Sequence, residues 1–325
     1  MNRMPTAPKP IQTFADLLAP ETEETFFGAI YGKRWALLKG DAAKAAAVFD
    51  WDGLNDVLAM DVWNAGTITM MLDGKRVPPN AYCQQGVNRA KVNGVYPVRE
   101  RVLKLLQDGA SLVLNDMSSL AAPVQAVQEI LNASLNGRGA ANLYYSQQKR
   151  RAFHSHFDRH EVFALQIQGT KAWRIYRGRA DAPIEHPQFL NMPQAEYDRM
   201  KGPLDQEVTT EPGDLLYLPR GQFHDALATD GDSMHITFST VVPMGLHLVY
   251  DMANRLVGDP AFRHDLPRLD GPDGEAALAK HIEALLDRLK EHYSGRQGLD
   301  IAKAIVEDFG QKPIQRFDIP NHREG

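Results

Sequence analysis

Two periodicities divide the chain. Short stretches of alternating or continuous apolar residues, bounded by Gly, Pro, Asn or Asp, predict strands. They are Arg34–Lys39, Thr67–Leu72, Ser111–Leu114, Asn142–Ser146, Glu161–Ile167, Lys171–Tyr176, Asp214–Leu218 and Met234–Val242. Asp73-Gly74 predicts a tight hairpin turn after the second of these. Gln168-Gly169-Thr170 reads as a corner that pairs its two flanking strands as an antiparallel hairpin. Apolar residues three and four apart predict helices over Thr13–Leu18, Glu21–Tyr31, from Asp50 to about Leu58, Val98–Gln107 and Pro123–Leu135. Three more are predicted near the end: Gly245–Leu256, Glu275–Tyr293 with Leu278, Ile282, Leu285 and Leu289 on one stripe, and Leu299–Phe309. Residues 178–205 are Pro-containing and irregular, which predicts a long loop over a barrel mouth.

The order is mixed, then all-β, then all-α. It predicts an antiparallel barrel with helices on its outside and end. We therefore expect an α/β N-terminal extension over 1–110, a barrel core over 111–243 and a helical C-terminal region over 244–325.

Composition narrows the class. The chain has 325 residues, 43% hydrophobic and 24% charged, so it can bury a core and has no compositional case for disorder. A net charge of −5 implies no global basic surface, and nucleic acid is not an expected partner. One cysteine, Cys83, can build neither a disulfide framework nor a zinc-thiolate site. No run approaches the roughly 18 apolar residues that span a bilayer. The first ten residues lack the apolar segment of a secretory signal, and a cytoplasmic protein is expected.

The chemistry concentrates in His154-Ser155-His156-Phe157-Asp158 and in His224. Strand alternation puts His154, His156 and Asp158 on one face. Any two of them, with a third ligand from elsewhere, could hold a metal; two His and a carboxylate suit non-haem Fe(II), and Mn, Ni or Zn would also bind. His224 follows Pro219-Arg220-Gly221-Gln222-Phe223, where Gly221 allows a tight bend and the His opens the next strand. The preceding Lys149-Arg150-Arg151 run is a small basic loop that could meet an acidic substrate.

The Gly213…Pro219-x-Gly221-x-x-His224 segment resembles the second cupin motif. His156-x-Asp158 followed by Val162-Phe163-Ala164-Leu165-Gln166-x-x-Gly169-x-Lys171-x-Trp173 resembles the JmjC-type 2-oxoglutarate oxygenases. Within them it is most similar to the branch of ribosomal oxygenases and cupin-like hydroxylases. The resemblance spans roughly residues 20–243 and implies a mainly β fold with α, a double-stranded β-helix. It implies an Fe(II)- and 2-oxoglutarate-dependent dioxygenase, a hydroxylase that releases succinate and CO2. His156, Asp158 and His224 would be the metal ligands and catalytic centre, and Lys171 would hold the distal carboxylate of 2-oxoglutarate. Asn142, Tyr144, Ser233, His235 and Thr237 are further positions expected to contact the cosubstrate.

A second ligand set fits the first cupin motif: His154, His156, Glu161 and His224, as in metal cupins that act without 2-oxoglutarate as isomerases, decarboxylases or dioxygenases. It lacks the usual preceding Gly (Gln148 stands there), and it leaves Asp158 and Lys171 without roles. The first set is therefore preferred, with a non-catalytic cupin-fold binding protein as the remaining alternative. The helical tail resembles the dimerisation helices of the ribosomal-oxygenase group and predicts a homodimer. No strand pair for a winged-helix module is found in the tail, so the substrate is left as a protein or peptide side chain or a small molecule.

Overall fold

A computed structural model describes residues 9–60, 62–147, 155–228 and 231–310. It divides at Val241/Val242 into two compact units.

Among the described residues the first unit is built on thirteen strands: β1 (Ala36–Leu38), β2 (Ile68–Leu72), β3 (Lys75–Arg76), β4 (Cys83–Val87), β5 (Asn93–Pro97), β6 (Ser111–Leu114), β7 (Ala141–Ser146), β8 (Glu161–Gln168), β9 (Lys171–Arg179), β10 (Leu204–Thr210), β11 (Leu215–Leu218), β12 (Gln222–Ala228) and β13 (Ser233–Thr240). One sheet has the order β1-β11-β8-β13-β7-β6-β2-β3, and a second has β10-β9-β12. β4 and β5 form a separate ribbon. Strands from either side of residue 110 thus share the large sheet.

β8 and β9 do not form the hairpin that their spacing suggests. β8 pairs with β11 and β13, while β9 pairs with β10 and β12. The corner between them passes the chain from one sheet to the other. Gly169 sits there at φ +62°, and a Cβ on it would meet the Asp232 carbonyl oxygen at 1.8 Å. Gln166 braces the corner by donating to the Gln168 carbonyl at 2.9 Å. The consequence is an interior between two sheets. Val162 and Ala164 of β8 and Leu216 and Leu218 of β11 pack against Trp173 and Ile175 of β9 and Val208 of β10. Val162 and Trp173 mark where this packing gives way to an open cavity.

β8 is buried on both faces. Its outward Phe163 meets Tyr217 at 5.0 Å between ring centroids, and Phe26 meets Tyr217 at 5.1 Å. These aromatic contacts fasten the N-terminal helices to the back of the sheet. Thr13 caps the first of them in a reciprocal box with Asp16.

Residues 178–205 are more ordered than an irregular loop. β9 runs on to Arg179, and helices form at Pro187–Leu190 and Gln194–Lys201. Tyr197 and Met200 of the second helix pack on Phe157 and Phe223, and this buried contact orders the segment.

The second unit contains helices Gly245–Arg255, Gly274–Tyr293 and Gly295–Gly310. Asp259 receives hydrogen bonds from Arg288 Nε and His292 Nε2, both at 2.7 Å, and ties the intervening turn to the long helix. On the expected stripe Leu278, Leu285 and Leu289 are half-buried, while Ile282 is exposed. No helix among the described residues is long and apolar enough to cross a membrane.

Candidate active site

Two backbone segments converge at this cavity. His156 and His224 face each other as an antiparallel bridge, with His156 N donating to His224 O at 2.9 Å and His224 N to His156 O at 2.8 Å. Gly221 N donates to Asp158 O at 2.9 Å and extends the pairing. Gly221, at φ +87°, permits this approach, because a Cβ there would meet the Ala180 carbonyl oxygen at 2.1 Å. Cross-strand partners share a face, as do residues two apart on one strand. The imidazoles of His156 and His224 therefore lie 4.5 Å apart by centroids, and Asp158 Oδ2 lies 3.5 Å from His224 Nε2. One donor atom from each of the three falls within 4.8 Å of the others.

The protonation states suit a ligand set. Burial and the neighbouring His156 push the His224 pKa down to about 4, so its imidazole is neutral at pH 7. Its Nδ1 lies 3.0 Å from the Gln222 carbonyl, which leaves Nε2 as the lone-pair donor toward Asp158. Burial opposes charge on Asp158, but the nearby His156 and His224 outweigh it and hold the carboxyl below its ordinary range.

These residues open onto a cavity of about 290 Å3. Alternate positions of four strands line it: Asn142, Tyr144 and Ser146 from β7; Lys171 and Trp173 from β9; His224 and Ala226 from β12; His235, Thr237 and Ser239 from β13. Lys171 is only 2% exposed. Its Nζ reaches the Ser146 Oγ at 3.5 Å, and no carboxylate among the described residues pairs with it. Desolvation pushes its pKa down to about 8. His235 stacks on Tyr144 with centroids 4.8 Å apart, and its buried Nδ1 has no hydrogen-bond partner among the described residues. Burial holds its pKa well below the usual value, with Lys171 adding to the effect. Burial, then the Asp158 charge, pushes the Tyr144 phenol up to about 12.

Of the expected cosubstrate positions, Asn142, Tyr144, Lys171, His235 and Thr237 line the cavity. Asn142 also accepts from Asp116 N at 3.0 Å. Ser233 does not line it. Its Oγ instead lies 3.1 Å from Gln166 Nε2, and Gln166 Oε1 in turn accepts from Thr210 at 2.9 Å. Ser233 thus belongs to the brace beneath the β8–β9 corner.

Glu161 is turned away from the metal face. Val162 lines the cavity, so its neighbour on the strand points outward. There the Glu161 carboxylate accepts from Tyr217 OH and from Arg220 N. It cannot join His156 and His224, which removes the carboxylate from the second ligand set. His154, with Lys149, Arg150 and Arg151, lies outside the described residues. Ser111, Ser146 and His160 line the cavity without having been singled out in the sequence. Continuing the alternation from Asn142 and Tyr144 would have reached Ser146; nothing local marks Ser111 or His160.

Residues 120–248 match the family model for the JmjC domain, a range containing the triad, Lys171 and β13. Ribosomal oxygenase 1 of Homo sapiens is 36% identical over 137 residues, which are 42% of this chain and 21% of that protein. Ribosomal oxygenase 2 of Mus musculus is 25% identical over 337 residues, 95% of this chain and 66% of that protein. The matched part spans about a fifth of the length of the mammalian ribosomal oxygenase 1 relatives. The structure of YcfD, a ribosomal oxygenase from Escherichia coli, superimposes with a TM-score of 0.55 at 18% identity, covering 94% of this chain and 74% of that one. The same protein in complex with cobalt and 2-oxoglutarate gives a TM-score of 0.56 at 17% identity, covering 94% and 75%. These likenesses show a shared fold.

Proposed function

We propose that this chain is an Fe(II)- and 2-oxoglutarate-dependent dioxygenase that hydroxylates a side chain of a ribosomal protein. The observation that carries the reading is Lys171, a buried cation without a carboxylate partner among the described residues, sharing one small cavity with His156, Asp158 and His224. A buried ammonium calls for an anion. A dicarboxylate with one end near the triad and the other on Lys171 supplies it. The ribosomal-protein substrate comes from the relatives' names. The domain roles follow: an extension over 1–110, a barrel core over 111–243 and a helical dimerisation region over 244–325, in a cytoplasmic homodimer.

The donor set fits the metal, because two imidazoles and a carboxylate leave coordination positions open. When bound, Fe(II) supplies the coupling of O2 reduction to oxidative decarboxylation of 2-oxoglutarate. Overall, substrate C–H, O2 and 2-oxoglutarate become C–OH, succinate and CO2. The protein's work is positional. The Gln222 carbonyl orients His224, and Lys171, steadied by Ser146 Oγ, holds the distal carboxylate by a charge-assisted hydrogen bond. Tyr144 and His235 form one wall, while Val162, Trp173 and Ala226 restrict water in the cavity.

The test is titration of 2-oxoglutarate into Mn(II)-loaded protein by calorimetry, with succinate release followed in the Fe(II) form. Saturable binding that Lys171→Ala weakens by about a hundredfold supports the reading. Absence of binding to metal-loaded protein, or an unchanged affinity in Lys171→Ala, overturns it.

A further inference from the structure

The chain is acidic overall, with a net charge of −5, but its charge is not evenly spread. From Gly74 to Val98 there is no Asp or Glu. From Lys75 to Lys104 there are seven Lys and Arg side chains and one acid, Glu100. All seven are exposed. This stretch builds the β3 edge, the β4–β5 ribbon and the helix Arg99–Gln107, outside the 120–248 match.

The fold gathers four of these cations, Arg89, Lys91, Arg99 and Arg101, at the ribbon and the groove beside it. The ribbon pairs in register from Cys83 with Pro97 to Val87 with Asn93. Its tip is ordered, because Asn88 accepts from Val92 N through Oδ1 at 2.9 Å and from Lys91 N through its carbonyl at 2.9 Å. Val87 and Val92, flanking the tip, are 60% and 54% exposed. Arg99 and Arg89 line one groove of about 630 Å3 with Tyr96, Leu58, Met60 and Leu103. Arg101 reaches the Cys83 carbonyl at 3.3 Å, so it stands at the root of the ribbon. Lys75, Lys91 and Arg99 make no ion pair among the described residues, whereas Lys104 pairs with Asp108 at 2.9 Å and the helix Trp51–Ala59 along the groove carries Asp52 and Asp56.

We infer that this basic ribbon and the groove beside it form a binding surface for single-stranded RNA. A polyanion is the partner that this run of exposed cations favours. Two further features select a nucleic acid over an acidic protein. Arginine forks suit phosphate oxygens in bidentate geometry. The apolar, tyrosine-bearing groove between Arg89 and Arg99 offers unpaired bases a surface to lie on while phosphates follow the rim. Duplexes keep their bases stacked inside and could use only the rim.

The surface is independent of the metal centre, and its test does not need turnover. Binding of a fluorescein-labelled 20-nucleotide oligouridine to the full chain is measured by anisotropy between about 50 and 200 mM salt. Three or four phosphate contacts predict a log–log salt slope of about −2 to −3. Lys91→Glu combined with Arg99→Glu should weaken binding about tenfold at low salt and flatten the slope by about one. Lys280→Glu combined with Lys290→Glu makes the same charge change on a helix of the second unit and should leave affinity within about twofold. His156→Ala should bind RNA as the unaltered protein does, whatever it does to oxygenase activity. Three results overturn the inference: no anisotropy change at the lowest salt, a Lys91/Arg99 variant that binds normally with a normal circular dichroism spectrum, or polyglutamate of equal charge competing as well as RNA.

Discussion

Lys171 carries more of the chemistry than any other residue outside the triad. Its ammonium is fully desolvated, and its pKa of about 8 lies below the usual 10.5. An unfolded chain keeps that proton up to the higher value, so between the two it binds more protons than the folded state. Stability from this group therefore rises as pH increases from about 8 to 10.5, and its full destabilising effect is present below 8. Lys171→Met should stabilise the ligand-free protein at pH 7 by on the order of 2 kcal/mol, read by denaturant unfolding, while abolishing 2-oxoglutarate binding. An unchanged or lowered stability would show that a buried anion already compensates the charge. Ligand binding has the opposite pH trend. The anion needs the protonated amine, so affinity for 2-oxoglutarate should fall as pH rises above about 8. Lys171→Arg, charged throughout that range, should remove this fall if it binds at all. Calorimetry from pH 7 to 9 distinguishes the cases.

Among the elements, the helix Gln194–Lys201 has a direct bearing on the site. Tyr197 OH accepts from Phe157 N at 2.8 Å, the amide between His156 and Asp158. Its ring also stacks on Phe157 with centroids 5.2 Å apart. It fixes the one segment that supplies two of the three donors. Tyr197→Phe keeps the stack and removes the acceptor. It should weaken metal binding about tenfold, read by competition with a chelating dye, with a stability loss of about 1 kcal/mol. Equal metal affinity in the two proteins would reduce Tyr197 to a packing residue. Residues 178–205 have weak periodicity and several prolines, and what orders them is the contact of Tyr197 and Met200 with aromatic residues far away in sequence. The strand β10 was missed for a related reason: its exposed, polar sequence is an edge strand defined by its partner β9.

At the scale of the whole molecule, several large apolar side chains stay exposed among the described residues of the helical unit. Val249 and Tyr250 are 58% and 61% exposed, and Leu286 is 59% exposed. Such faces on a soluble chain mark contact with another surface. In the homodimer proposed above they would be the contact. Light scattering should then give twice the mass of the 36.3 kDa chain. Val249→Asp with Tyr250→Asp should shift it to one chain while 2-oxoglutarate binding persists. A monomer at about 10 μM would remove the dimer from the proposal.

Much of the centre is local and was legible in the sequence. His156 and Asp158 share a face because side chains alternate along an extended backbone, and Gly221 marks the bend that leads to His224. Helix ends such as Thr13 and Asp50 follow from capping, a matter of three or four residues. The pairing of distant segments is decided by burial and hydrogen bonding across the whole fold. That pairing sent β8 and β9 to different sheets, turned Glu161 outward to Tyr217, spent Ser233 on Gln166, and set Ser111 beside Ser146. A residue's face on its own strand is a property of local geometry, whereas what stands opposite that face exists only once the two sheets have closed on each other.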